Sequence, residues 1–267
     1  MRCQTPSAPS RRSRALVHHA GVNDLIENAP PRHAVARLRA ACLASSETLP
    51  RLDRGAPRKA RCAGCRLIPS HCMCALRASV PTRSGICLLM AEFEALKPSN
   101  TGGLVADVVP RTHAFAWSRT HVDPALLELL DDPRWWPVVV FPGEFAAPER
   151  VVTELAADAR PPLFILLDGT WAEARKAFRK SPYLDRFPVL GLSPGTLSRY
   201  TLRRAWHGHH LCTAEIAALC LAGAGDERAA LALEATLDVF NERTLRAKQS
   251  VPPDAQDAAH RRLAALR

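Results

Sequence analysis

Four cysteines fall within thirteen residues, as Cys62-x-x-Cys65, a gap of six, then Cys72-x-Cys74. Each tight pair puts two thiolates on one turn, and two such turns close a tetrahedral sulfur shell around Zn²⁺. Cys62, Cys65, Cys72 and Cys74 are therefore the candidate ligands, with His71 an alternative donor for one position. Four protein ligands leave no open position, so the metal would be structural. The plain alternative is four free thiols in a loop.

A second candidate is the run Leu163-Phe164-Ile165-Leu166-Leu167-Asp168-Gly169-Thr170-Trp171. It reads as a buried strand, a turn and a helix start, and ligands of open α/β sheets sit beyond the carboxyl ends of strands. Asp168 and Thr170 then lie beside free helix amides, where an anion or cofactor docks. Either residue also makes an ordinary helix cap, and the pattern alone favours the cap. Leu96-Lys97-Pro98-Ser99-Asn100-Thr101-Gly102-Gly103 is a weaker signal of the same kind. Arg175, Lys176, Arg179 and Lys180 follow Trp171, where i, i+4 spacing lets cations share a face. A solvated helix face explains them almost as well. His207-Gly208-His209-His210 reads as an exposed loop sooner than a metal site. No Gly-x-Gly-x-x-Gly and no Walker-type loop is present, which counts against nucleoside triphosphates and Rossmann dinucleotides.

The elements that must position these residues follow an alternating pattern from Ser84 onward. Strands are expected at Ile86–Met90, Pro137–Phe141, Leu163–Leu167 and Phe187–Leu192. Helices are expected at Thr101–Val109, at Val122–Leu130 with Asp123 as cap, and from Trp171 to about Lys180. Two more follow at Thr213–Leu221 and Glu227–Lys248. Residues 1–60 read as a basic leader with little fixed structure, apart from a helix around His33–Ala44. The knuckle would occupy 61–80 and the main domain 81–249, with 250–267 a loose polar tail.

The chain has 267 residues and a net charge of +10, which points to a polyanionic partner. Residues 1–60 carry 11 Lys or Arg against 4 Asp or Glu, a balance of +7. The remaining 25 against 22 leave only +3, so the excess sits mostly in the leader. No run is long and apolar enough to cross a bilayer, and no apolar core follows the basic N-terminus. The expectation is a cytoplasmic protein without a membrane partner or an obligate protein partner. Nine cysteines in that setting argue for reduced thiols rather than a disulfide framework.

Taken together, the residues resemble the DTW-domain family, and within it the bacterial tRNA-uridine aminocarboxypropyltransferases. The likeness rests on Cys62–Cys74, Leu88-Leu89-Met90, Leu96–Gly102, Phe141-Pro142-Gly143 and Asp168-Gly169-Thr170-Trp171. It continues through Ser198-Arg199-Tyr200-Thr201-Leu202-Arg203 and Cys212-Thr213-Ala214-Glu215. It covers about residues 60–245 in one order, and the leader lies outside it.

The resemblance implies a SPOUT-like α/β sheet flanked by helices, with a deep trefoil knot in its C-terminal part. It implies S-adenosylmethionine as donor, held by Phe141, Pro142, Gly143, Leu167, Thr170, Trp171, Leu190, Leu192, Ser198 and Tyr200. The acceptor implied is N3 of a tRNA uridine, with Asp168 withdrawing its proton. Lys97, Asn100, Lys176, Arg179, Lys180 and Arg203 are the candidate RNA contacts. Rival readings are a SPOUT-like methyltransferase, an aminocarboxypropyltransferase of ribosomal RNA, and a non-catalytic zinc-containing RNA-binding module.

Overall fold

The computed structural model describes residues 32–45, 60–155, 160–192 and 211–267. Among them, β1 (Gly85–Met90), β2 (Thr112–Ala116), β3 (Trp136–Val140), β4 (Val151–Val152), β5 (Pro162–Asp168) and β6 (Val189–Leu190) form one sheet. Every pairing is parallel and the spatial order is β2-β1-β5-β3-β6-β4. Parallel strands need helical crossovers on both faces, so the central strands are apolar on both sides. The period of two then sorts them. Ile86, Leu88, Met90, Val138, Val140, Phe164 and Leu166 enter one core, while Cys87, Leu89, Val139, Leu163 and Ile165 enter the other.

The first core is covered by α2 (Gly102–Val108), α5 (Thr213–Gly223) and α6 (Glu227–Gln249), and the second by α3 (Pro124–Asp131) and α4 (Trp171–Arg179). Burying an aliphatic or aromatic side chain fully is worth roughly 1.5–3 kcal/mol, so these two layers hold the sheet rigid. Asp123 caps α3, its carboxylate accepting from the Ala125 amide at 3.0 Å, and Pro124 opens the first turn.

The strands and helices expected from the pattern appear within a few residues of their expected bounds. Three features do not match. β2 and β4 were not expected: β2 is a half-buried edge strand and β4 two residues long, too little for a periodicity to show. The segment after Ser250, expected as a loose tail, folds into α7 (Ala258–Ala265), with Asp257 capping it and His260 and Leu263 buried on α6. The leader holds α1 (Ala34–Ser45) as expected, but it is docked by Val35 and by a buried Arg39. A trefoil knot would thread through 193–210, which lie outside the described residues, as does the histidine run.

Candidate functional site

Two clusters carry the chemistry. In the first, Cys62, Cys65, Cys72 and Cys74 bring their sulfurs within 4.8 Å of one another. The closest separations are 3.5 Å for Cys62–Cys74 and Cys62–Cys72, and 3.7 Å for Cys65–Cys72. A tetrahedron with Zn–S bonds of about 2.3 Å has edges of about 3.8 Å, so the donor set fits zinc closely. Disulfides are excluded, because bonded sulfurs lie about 2.05 Å apart. His71 is not in the shell. Its Nε2 meets the Val251 carbonyl at 2.8 Å and its Nδ1 the Ser70 hydroxyl at 2.9 Å.

The local chain explains the crowding. The Cys62 amide donates to Leu67 O at 2.8 Å and the Arg66 amide to Cys62 O at 2.9 Å, with Arg66 in the left-handed region at φ 66°. A Cβ on Gly64 would stand 2.7 Å from the Cys74 sulfur, so only glycine closes this turn. Hydrogen bonds from Cys65 and Cys74 hold the Cys62 thiol far below its ordinary range. The bond to Cys62 is the main cause pushing Cys65 up to about 11, and Cys74 is also raised. One thiolate is accommodated and further ones are resisted, which is the electrostatic signature of a pocket that needs a cation at its centre.

Arg243 donates to Cys72 O at 2.6 Å and ties the knuckle to α6, while Arg39 donates to Ala63 O at 3.1 Å and ties it to α1. Glu242, Asp257 and His260 form another group with ligand atoms within 4.8 Å. That group is closed by arginine: Arg243 donates to His260 Nε2 at 2.9 Å and Arg246 pairs with Glu242.

The second cluster stands at the carboxyl end of β5, in the middle of the sheet. Asp168 is paired with Met90 and is only 3% exposed. Thr213 Oγ1, at the start of α5, donates to its Oδ1 at 2.6 Å, and Asn100 Nδ2 donates to its Oδ2 at 2.8 Å. Asn100 is fixed in turn, since the Gly103 amide donates to its Oδ1 at 3.1 Å and its Nδ2 also reaches Glu94 at 3.4 Å. Glu94 is fully buried and pairs with Lys97, whose ammonium lies 3.9 Å from Glu173. A Cβ on Gly102 would fall 2.5 Å from Asp168 Oδ2, so a bare glycine is what lets α2 reach the carboxylate.

The two capping alternatives separate here. Thr170 is the cap of α4: the Glu173 amide donates to its hydroxyl at 3.3 Å and the Thr170 amide to Glu173 at 2.7 Å, a complete capping box. Asp168 does not cap. Its carboxylate belongs to the polar cluster instead.

Beside it, Phe141 stacks on Trp171 at 5.4 Å and on Phe178 at 4.4 Å, with Phe145 edge-on to both Phe141 and Trp171. Gly143 and Gly191 touch backbone to backbone at 3.5 Å, and the Phe141 amide donates to Leu190 O at 3.3 Å. The turns after β3, β5 and β6, carrying Phe141, Pro142, Gly143, Leu167, Thr170, Trp171, Leu190 and Leu192, thus lie at one edge of the sheet. Ser198, Tyr200 and Arg203 lie outside the described residues.

Of the residues expected to touch RNA, Lys176 is exposed with its ammonium 5.8 Å from the Trp117 ring, and Arg179 and Lys180 are exposed. Asn100 is a correction: it is 7% exposed and faces Asp168, leaving no edge for RNA. Lys97 is half-buried against Glu94. Glu94, Thr213 and Arg39 were missed as contributors. Glu94 reads in sequence as the polar edge of a strand, and Thr213 as an ordinary helix start.

A family model, the DTW domain, matches residues 59–245. The chain belongs to the DTW-domain family. A curated relative, tRNA-uridine aminocarboxypropyltransferase 2 of Drosophila melanogaster, is 32% identical over 115 residues, covering 43% of each chain. This DTW-domain chain therefore aligns with less than half the length of that relative. No solved structure matches it. The matched span begins just before the cysteine knuckle and ends within α6, so both clusters lie inside the DTW domain. Among the described residues no helix is long and apolar enough to cross a membrane.

Proposed function

We propose that this DTW-domain protein transfers the 3-amino-3-carboxypropyl group of S-adenosylmethionine to N3 of a uridine in tRNA. The single observation that carries the reading is a carboxylate at the tip of a central strand, clasped by Asn100 and Thr213 within the domain shared with the aminocarboxypropyltransferase relative. The setting suits the donor. Asp168 and Glu94 put two carboxylates at the site against one lysine, an excess of negative charge that favours a sulfonium.

In the proposed step Asp168 takes the N3 proton of uridine as N3 attacks the γ-carbon of the aminocarboxypropyl arm. The carbon–sulfur bond breaks, its electron pair stays on sulfur, and methylthioadenosine leaves as a neutral thioether. Each Asp168 oxygen carries one hydrogen bond from the protein and keeps a lone pair for the proton. A positioned base contributes roughly 10²–10⁴-fold. Aiming the aminocarboxypropyl arm rather than the methyl at N3 is the task of the turns Phe141–Gly143, Leu167–Thr170 and Leu190–Leu192. Zinc, held by the four cysteines, would order the knuckle and supply no step of the reaction. The trefoil knot in the segment after β6 belongs to the same proposal.

A second reading of Asp168 has its own support. At 3% exposure with both oxygens bonded, it also has the marks of a carboxylate that clasps α2 and α5 to the sheet. The transfer itself is tested by mass spectrometry of tRNA nucleosides after incubation with purified protein and S-adenosylmethionine. The reading expects the aminocarboxypropyl mass on uridine. A methyl group there would convert the proposal into a SPOUT-like methyltransferase, and an unchanged nucleoside profile into a zinc-containing RNA-binding module.

A further inference from the structure

Trp171 opens α4 in an unusual position. It is one of the large apolar side chains left open to solvent, 38% exposed, although it heads the stack Trp171–Phe141–Phe178. Its ring lies within 5° of parallel to Phe141, so it is held flat from beneath rather than free to rotate. Four residues on along the helix comes Arg175, and four more brings Arg179, so that the indole and two guanidinium groups share one face about 6 Å apart along the axis. Arg175, Lys176, Arg179 and Lys180 are all exposed, and among the described residues none of the four pairs with a carboxylate. The only acid of the helix, Glu173, is engaged by Thr170. Two of the cations lie over aromatic rings instead: Arg175 is 5.1 Å from the centre of Phe145, and Lys176 is 5.8 Å from that of Trp117.

A preoriented indole followed by unpaired cations at one-turn intervals is complementary to an unstacked base followed by its phosphates. A duplex has no free base face to offer, so the arrangement discriminates for a single strand. We propose that the exposed face of α4 is a single-stranded RNA track, on which Trp171 stacks a base next to the modified uridine while Arg175 and Arg179 contact the following phosphates. The assignment gives Trp171 to the RNA rather than to the donor, and it rests on the tRNA-uridine reading above only for the identity of the neighbouring base.

The test uses the full chain, with a short oligouridylate, a duplex of equal length, unmodified tRNA and methylthioadenosine as separate probes. Trp171→Leu is expected to weaken oligouridylate and tRNA binding by about 5- to 100-fold and Trp171→Tyr by much less, with duplex binding unchanged. Arg175→Ala and Arg179→Ala each lower the salt slope of oligouridylate binding by about 0.7, a readout that does not depend on the Trp171 variants folding. Wild-type affinity in Trp171→Leu, or unaltered salt slopes, would overturn the track. So would tryptophan quenching by methylthioadenosine that vanishes in Trp171→Tyr, because it would place the donor's adenine on the indole. Should the binding results hold while no aminocarboxypropyl uridine forms, the track stands and the transferase reading falls.

Discussion

The sulfur cluster and the Asp168 cluster are both polar constellations, built in opposite ways. Cys62–Cys74 is a short loop with two turns of 3₁₀ helix in or beside it and no strand of its own. Its four donors come from one stretch of chain, and what they lack is a core beneath them. Metal coordination substitutes for that core, as it does in small zinc modules. Asp168, by contrast, is carried on a strand that has neighbours on both sides, and its partners arrive from 68 residues before it and 45 after it. There the hydrophobic sheet does the positioning and the polar groups are held at fixed distances. One site is ordered by its ligand, the other by its scaffold. Arg39 of α1 touches both regions, donating to Ala63 O in the knuckle and at 2.9 Å to Ala95 O just before the Asn100 loop.

The contrast is broken most severely from the knuckle side. A Cys62→Ser/Cys65→Ser variant should lose its one equivalent of zinc by elemental analysis, together with protease resistance across 61–80, since metal binding in small zinc modules supplies about 10–16 kcal/mol of folding free energy. The sheet, with its own two cores, should keep its far-ultraviolet circular dichroism. Loss of sheet signal would show that the regions are not independent.

Arg39→Met comes next. It leaves the Ala63 and Ala95 carbonyls unpaired, at a cost of about 2–4 kcal/mol in denaturant unfolding. Burial already holds the Arg39 guanidinium down to about 10, with Arg66 adding to the effect, so its charge is retained by these carbonyls and by Asp107. Zinc affinity and uridine transfer should fall together, because this residue alone joins the two clusters.

Gly102→Ala is smaller and one-sided. Its methyl group would meet Asp168 Oδ2 at 2.5 Å, an overpacking cost of about 1–3 kcal/mol, and transfer should fall while zinc content stays whole. Thr213→Val is smaller still. It keeps the shape and removes one hydrogen bond to the carboxylate, for an expected tenfold loss of transfer rate, about 1.4 kcal/mol, with no change in metal content.

The same contrast explains what could be read from the sequence. The knuckle was legible because its ligands are close in the chain and cysteine pairs at those spacings have few other uses. The apolar runs that became β1, β3 and β5 were legible because both faces of each are buried. β2 and β4 were not, one being half-exposed and the other two residues long. The fixed tail was missed because α7 buries only His260 and Leu263, too few to make a stripe. Asp168 could be named as a strand tip, but nothing local distinguishes its role from that of Thr170. Only tertiary contact shows that Thr170 caps α4 while Asp168 meets Asn100 and Thr213. Glu94 and Arg39 were invisible for a related reason: charged residues are ordinarily exposed, and their burial is decided by partners far away in the chain.

The most direct test is single-turnover transfer by Asp168→Asn. The amide is isosteric, can still accept from Asn100, and can donate to the Thr213 hydroxyl, so the clasp and the thermal unfolding midpoint should survive. As a base it is useless. The account predicts a folded, tRNA-binding protein whose transfer to uridine is slower by about 10²–10⁴-fold. Transfer at the wild-type rate would contradict it and leave Asp168 as a structural clasp alone.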